Sequence, residues 1–428
     1  MKMNPRVAVI TSGYLPVPNV LGGAVEALDM MMVRENEKTT NFEFTVFSSW
    51  APGVDKVIRD GAFQHTDFRF IKTPMLVKVA DRCIYWAAKY ILRKKKLMSY
   101  RYIAQRLWYI RKVAKALSKD DASGKTLFDK VMIENHATLF MTMQKYRNAE
   151  RYADRVYYHL HNEVTNDFGC KHEIAQVKKV LGVSNYIVNT LDKFLREHGE
   201  DGLKPEQKAV WRNGVDTSRF GSDEAKHKAK AFRAKYGISD GDIVFLFSGR
   251  LTPEKGAEEL LEAFVQVADQ VPRVKLVVAG AFFFNSTIRS PFEQKLHDLA
   301  SQPKVEGKIV FTGFVGYDDM PALYEIADVC VLPSIWDDPA PLAVIESLVS
   351  GKPLITTKSG GISEYALCDG SFIVSRDDQL VSNLAKRMLQ LGTNPELRLK
   401  MGEAAYERGH RFSESFYFDE LCKILSNN

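Results

Sequence analysis

The chain has 428 residues, 45% hydrophobic and 26% charged, which is globular material for two domains of about 200 residues each. This excludes a mainly disordered chain, and 27 Gly and 16 Pro without period exclude collagen-like and low-complexity classes. The net charge is +6, and the five cysteines at positions 83, 170, 330, 368 and 422 have neither metal-ligand nor C-x-x-C spacing, so free, mostly buried thiols in a reducing cytoplasm are expected.

In chain order, the first strand is predicted at Val7–Thr11. The uncharged stretch from Val7 to Val25 contains Gly13, Pro16, Pro18, Gly22 and Gly23, too many breakers for a membrane span, and the apolar run after Arg6 is too short for a signal peptide. Gly22-Gly23 opens a helix expected from Ala24 to about Val33. Further strands are predicted at Phe42–Phe47, Lys130–Ile133, Val156–His159 and Val180–Val183. After a pause come Ile243–Phe247, Lys275–Ala279, Ile309–Thr312, Val329–Leu332, Leu354–Thr356 and Phe372–Val374. Most are continuous apolar runs, as in strands buried on both faces, and helical patterns such as Glu258–Gln270 and Leu342–Val349 separate them. The alternation predicts an α/β chain with two doubly wound parallel sheets facing across a cleft. Gly199, Gly202 and Pro205 mark a junction, giving domains 1–205 and 206–395, then C-terminal helices over 396–428 that cross back to the first domain.

The positive charge is concentrated. Between Arg82 and Lys119 there are twelve Lys and Arg and no Asp or Glu, and removing them leaves 47 cations against 53 carboxylates. From Tyr100 the segment has helical periodicity, with Tyr100, Ile103, Leu107, Ile110, Ala114 and Leu117 on one stripe. Arg101, Arg106, Arg111, Lys112 and Lys115 lie off it, and Arg93–Lys96 is a dense basic cluster. A core helix with a solvated basic face and a patch for an anionic membrane both fit this pattern, the latter helped by the interleaved Trp86, Tyr90, Trp108 and Tyr109. No nucleic-acid motif accompanies the charge, so nucleic acid is not an expected partner.

Several motifs stand at strand ends, where open α/β sheets bind ligands. Gly22-Gly23 would let backbone N–H groups approach an anion at a helix amino end, though a plain loop fits as well. Gly249-Arg250 and Lys255-Gly256 put two cations on a turn stiffened by Pro253, either surface charges or a clamp for a diphosphate. Asp338 precedes a helix begun by Ala340-Pro341-Leu342, and Glu346 sits inside it, a carboxylate on an otherwise apolar helix that requires a partner such as a sugar hydroxyl or a structural cation. Gly360-Gly361 with Glu364 repeats the glycine turn with an acid, and Asn213-Gly214-Val215-Asp216 marks a turn at the junction. His159 and His161 end a first-half strand and are either structural or substrate-facing. Asp240-Gly241-Asp242 and Ser123-Gly124-Lys125-Thr126 are set aside, the first as a turn and the second as a P-loop ending without its upstream glycine.

Together these motifs resemble the retaining glycosyltransferases of family 4, with the two-domain GT-B fold, most strongly from Asn213 to Glu364. The resemblance implies transfer of a sugar from a nucleotide-diphosphate donor, UDP by family frequency, to a lipid-linked or polysaccharide acceptor, with no metal or other cofactor. It implies that Arg250 and Lys255 hold the diphosphate, that Glu346 binds the ribose, and that Asp338 and the backbone after it face the donor sugar. It places His161 beside that sugar, the Gly23 N–H on phosphate, and Gly22, Asn213, Gly249, Ala340, Pro341 and Leu342 around the donor. The chain departs from the family where Asp338 replaces the more usual Glu and Ala340-Pro341 stands for the frequent Phe-Gly. A catalytically silent nucleotide-sugar-binding partner and a nucleotide-sugar epimerase share the architecture. The retained set of site residues favours the enzyme, working in the cytoplasm at the inner face of the membrane.

Overall fold

The structure is a computed structural model that describes residues 4–91, 101–281 and 290–426. It divides into two compact units, residues 1–211 with 418–428, and residues 212–417.

The first unit holds a seven-stranded parallel sheet of β1 (Arg6–Ile10), β2 (Glu43–Ser49), β3 (Thr66–Ile71), β4 (Lys130–Glu134), β5 (Val156–Leu160), β6 (Lys179–Gly182) and β7 (Lys208–Val210) in the order β3-β2-β1-β4-β5-β6-β7. The second holds β8 (Ile243–Ser248), β9 (Val274–Ala279), β10 (Ile309–Gly313), β11 (Val329–Leu332), β12 (Leu354–Thr357) and β13 (Ser371–Val374) in the order β10-β9-β8-β11-β12-β13. Both are doubly wound: strand order reverses between β1 and β4 in one and between β8 and β11 in the other. The central strands are the predicted apolar runs. Val7–Ile10, Val131–Ile133, Val244–Phe247 and Val329–Val331 are all within 1% of full burial, because helices cover both sheet faces.

Two strands lie outside the prediction, and both are sheet edges. β3 reads Thr-Asp-Phe-Arg-Phe-Ile, with polar residues alternating along a half-covered strand, and β7 has three residues and none buried. β7 also carries the first sheet past residue 205. The helix after Gly23 runs on from Ala24 to Thr39, and Leu342–Val349 is a helix as read. The segment from Pro395 forms two helices, Pro395–Gly409 and Glu414–Ser426, joined by a 3-10 turn. The cysteines are all unpaired, but only Cys170 and Cys330 are buried, and Cys83 is exposed.

The basic helix spans Ile103–Leu117 and is chiefly a core helix. Ile110, Val113, Ala114 and Leu117 are fully buried, while Arg111, Lys112 and Lys115 face solvent. The expected stripe is corrected at two positions: Leu107 is 46% exposed and Arg106 is 5% exposed. Arg106 can be buried because its guanidinium is satisfied. It donates to the Ser12 carbonyl and to Thr138 Oγ1 from Nε at 2.9 Å, and its Cζ lies 4.7 Å from the Tyr14 ring centroid. Tyr100 and the Arg93–Lys96 cluster lie outside the described residues.

Arg106→Ala leaves that carbonyl and hydroxyl unsatisfied in a buried site and is expected to cost about 3 kcal/mol, against under about 0.5 kcal/mol for Arg111→Ala on the exposed face. Urea unfolding of both variants checks this, and equal losses would contradict it.

Candidate functional site

In the second unit the site grows from the ends of β8 and β11. After β8 the chain turns through Gly249 to Gly256, with a 3-10 turn over Pro253–Lys255, and enters the helix Ala257–Val267. Gly256 has φ 72°, and a Cβ there would lie 1.9 Å from the Pro333 carbonyl oxygen, so only glycine allows this approach to the loop after β11. The two loops are then laced together. The Glu254 carbonyl accepts the N–H groups of Ile335 at 3.0 Å and Trp336 at 3.2 Å. Lys255 Nζ forms an ion pair with Asp338, and both side chains are mostly buried.

The glycine turn after β12 closes on the same loop. The Gly360 N–H donates to Asp337 Oδ1 at 2.9 Å, the Gly361 N–H to the Asp338 carbonyl at 2.8 Å, and a Cβ at Gly360 would meet that carbonyl oxygen at 2.4 Å. Asn213 is 5% exposed; its Nδ2 donates to the Ala340 carbonyl at 3.2 Å and its N–H to the Tyr365 hydroxyl at 3.1 Å. Asn213, Lys255, Asp338 and Ala340 are thus linked through one set of contacts just before Pro341 and the helix Leu342–Val349.

Glu346 on that helix is 7% exposed, and its partner is a hydroxyl. Tyr324 donates to its Oε2 at 2.9 Å, and Ser248 Oγ lies 2.9 Å from the same Tyr hydroxyl. Burial raises the Glu346 pKa, while the Tyr324 hydrogen bond and the positive charge of Arg219 oppose the rise. Arg219 lies 3.8 Å from the Tyr317 ring centroid. Tyr324 and Arg219 were not legible as site residues: Met-Pro-Ala-Leu-Tyr-Glu-Ile reads as core helix, and Arg219 sits in a polar stretch with nothing to distinguish it.

In the first unit a polar cluster gathers at the ends of β1, β4 and β5. Glu134, fully buried, accepts from His159 Nδ1 at 2.9 Å and lies 3.7 Å from His161 Nε2. The His159 ring has centroids of His161 and Trp211 each 4.1 Å away. Asn135, at φ 57°, accepts the backbone N–H groups of His161 and Asn162 at 3.1 Å, which fixes the turn carrying His161. His159 is wholly buried, whereas His161 keeps 7% exposure. Burial lowers the pKa of His159 to about 3 and that of His161 to about 4, the latter offset in part by Glu134, so both imidazoles are neutral at pH 7.

Glu26 and Asp29 face the same region from the helix after Gly23. Burial, then Glu134 and Glu26, drive the Asp29 carboxyl well above its ordinary range. The Glu26 carboxylate accepts from Ser12 Oγ at 3.0 Å and sits 2.1 Å from the place of a Cβ on Gly23. The amino end beside Gly22-Gly23 therefore already carries an anion from its own chain. Glu134, His159 and His161 are also the three-residue group among the described residues whose ligand atoms, all within 4.8 Å of one another, could receive a metal ion. Glu134 and His159 already spend a lone pair and an N–H on each other, which is the chemistry of a hydrogen-bonded cluster. The sequence signal for Glu134 is slight: an acid ending an apolar strand.

This geometry can be set beside known proteins. Residues 228–408 match the family model described as glycosyl transferases group 1. The putative glycosyltransferase YtcC of Bacillus subtilis is 31% identical over 273 residues, 62% of this chain and 65% of that protein. Spore coat protein SA of the same organism is 26% identical over 60% of this chain and 66% of its own length. The chain therefore spans just under two thirds of the length of these relatives. Among solved structures, Anabaena HepE in complex with UDP and glucose aligns over 99% of this chain and all of that one, at TM-score 0.66 and 15% identity. WaaG, a glycosyltransferase involved in lipopolysaccharide biosynthesis, aligns over 99% and 100% at TM-score 0.61 and 14% identity. The fold is GT-B.

The depressed histidine pKa values carry a signed prediction. Above pH about 6.5 both folded and unfolded histidines are neutral; below it the unfolded chain takes up protons that the folded chain refuses until about pH 4, so stability is lost across that window at about 1.4 kcal/mol per pKa unit. His161→Gln removes one such site, so its melting temperature falls less than that of the parent between pH 6.5 and 4. A wild-type-minus-variant difference that is constant with pH would contradict the buried neutral imidazole.

Proposed function

We propose that this protein is a retaining glycosyltransferase that moves a hexosyl or N-acetylhexosaminyl group from a UDP-sugar to a lipid-linked or polysaccharide acceptor, without a metal, at an anionic membrane surface. The observation that carries the reading is the Lys255–Asp338 ion pair at the loop before the Glu346 helix.

The pair suits a donor that brings its own anion. A diphosphate competes with Asp338 for Lys255, and Arg250 on the same turn adds a second cation. Asp338, released from Lys255, then accepts hydroxyl protons of the sugar, while Glu346, held by Tyr324 on one oxygen, offers the other to ribose hydroxyls. Bond cleavage develops positive charge at the anomeric carbon and negative charge on the departing diphosphate, where the two cations stabilise it. The acceptor hydroxyl attacks from the face the diphosphate leaves, giving the new C–O bond with retention, and its proton passes to the departing phosphate oxygen. In this reading His161 acts as a neutral hydrogen-bonding group rather than a cation. The family-model match over residues 228–408, UDP in HepE and the lipopolysaccharide N-acetylglucosaminetransferase of Salmonella among the relatives (27% identical over 41% of this chain and 45% of its own length) support the donor and acceptor classes.

Lys255→Ala and Glu346→Ala are expected to reduce transfer from a UDP-sugar by about 100-fold or more with circular dichroism unchanged, and EDTA treatment to leave the wild-type rate as it was. Labelled-sugar incorporation into a membrane extract measures all three, and wild-type rates in either variant would remove the proposed site.

A further inference from the structure

The helix Met75–Trp86 and the helical turn Ala87–Ile91 that continues it are built the wrong way round for a soluble surface. Met75 is 68% exposed, Leu76 83%, Val79 43%, Trp86 57%, Tyr90 55% and Ile91 63%. At helical spacing Met75, Leu76, Val79, Cys83, Trp86 and Tyr90 fall within one arc of about a hundred degrees. Lys78, Arg82 and Lys89, all exposed, line one edge of that arc. The opposite side faces the protein: Val77 is half-buried, Asp81 and Ala88 are buried, and the Asp81 carboxylate accepts the N–H groups of Ala104 at 2.8 Å and Gln105 at 3.1 Å at the start of the helix Ile103–Leu117. That double hydrogen bond fixes the rotation of the helix and so keeps its apolar arc outward.

We infer that this outward arc is the membrane-docking element of the protein, lying in the plane of an anionic bilayer with Leu76, Val79 and Trp86 in the headgroup boundary and Lys78, Arg82 and Lys89 on lipid phosphates. An apolar arc on a helix with a basic flank and tryptophan and tyrosine at its margin is the composition of an interfacial helix. Charge selects the occupant. Asp81 is the sole acid in residues 75–91 and it is buried, so a second copy docked on the arc would set cation against cation, whereas an anionic lipid surface pairs with every one. The basic helix Ile103–Leu117 supplies no comparable face, since its apolar side is spent on the core. The inference deepens the membrane placement proposed above and is tested separately from sugar transfer.

The experiment is cosedimentation of the full chain with phosphatidylcholine vesicles, with and without phosphatidylglycerol. Two multiple variants are compared, Leu76→Ser with Trp86→Ser, and Lys78→Glu with Arg82→Glu and Lys89→Glu. Wild type is expected to bind only the phosphatidylglycerol vesicles, each variant to bind about ten-fold or more weakly, and transfer to a water-soluble acceptor to be the same in all three. Undiminished vesicle binding by both variants would overturn the inference. So would failure of wild type to bind, or a wild-type dimer in sedimentation velocity that the serine variant dissolves, which would assign the arc to a second copy. Loss of transfer in wild type would count against the enzyme reading and leave the docking result to be judged by itself.

Discussion

The second unit depends on a contact that only glycine can make: Gly256, at positive φ, against the carbonyl of Pro333. Strands β8 and β11 are neighbours in the sheet, so the loops leaving them start about one strand spacing apart. Without a side chain at 256 the loops close further and exchange hydrogen bonds through the Glu254 carbonyl. Lys255, one residue before the contact, and Asp338, five residues after Pro333, are thereby brought together although 83 positions separate them in sequence. Gly360 repeats the device from the far side, its backbone pressed against Asp338. The charges are placed by backbone proximity first, and their attraction then closes an arrangement already fixed.

Seen this way, what the sequence discloses and what it conceals divide along a physical line. Strands buried on both faces announce themselves as apolar runs, and turns that need glycine announce themselves as Gly next to a charge, because both constraints act on consecutive residues. The Lys255-Gly256 turn and the Glu346 helix were legible for that reason. Edge strands were not: β3 alternates polar and apolar residues because one side is half open, and β7 is three residues long. Partners were not legible either. Glu346 required one by burial alone, but nothing in the spacing names Tyr324. Arg106 looked like part of a solvated basic face, and its burial rests on a carbonyl and a hydroxyl drawn from two other segments.

The helix Met75–Ile91 shows a different limit. Its periodicity is that of an amphipathic helix, and a sequence cannot say which side faces the protein, since an apolar arc is the usual signature of the buried one. The orientation is decided by Asp81, whose carboxylate can reach two free N–H groups only if it points inward. Turned outward, Asp81 would lose both of those bonds; turned inward, it leaves Met75, Leu76, Val79, Trp86, Tyr90 and Ile91 exposed.

The two units treat the amino ends of their helices differently, and the difference bears on the diphosphate placement proposed above. A helix begins with unpaired N–H groups and a partial positive charge, so it draws an anion. In the first unit that demand at Gly23 is met by Glu26, whose carboxylate is further held by the Ser12 hydroxyl. A phosphate there would have to displace a covalently tethered competitor and would approach Asp29 and Glu134 as well. In the second unit the helix Leu342–Val349 starts at Pro341 with no acid in its first turn and no side-chain cap, and the nearby carboxylate, Asp338, is engaged by Lys255. The anion deficit is on that side, which favours the diphosphate placement proposed above, whereas the carboxyl cluster of Glu26, Asp29 and Glu134 in the first unit suits groups that donate hydrogen bonds.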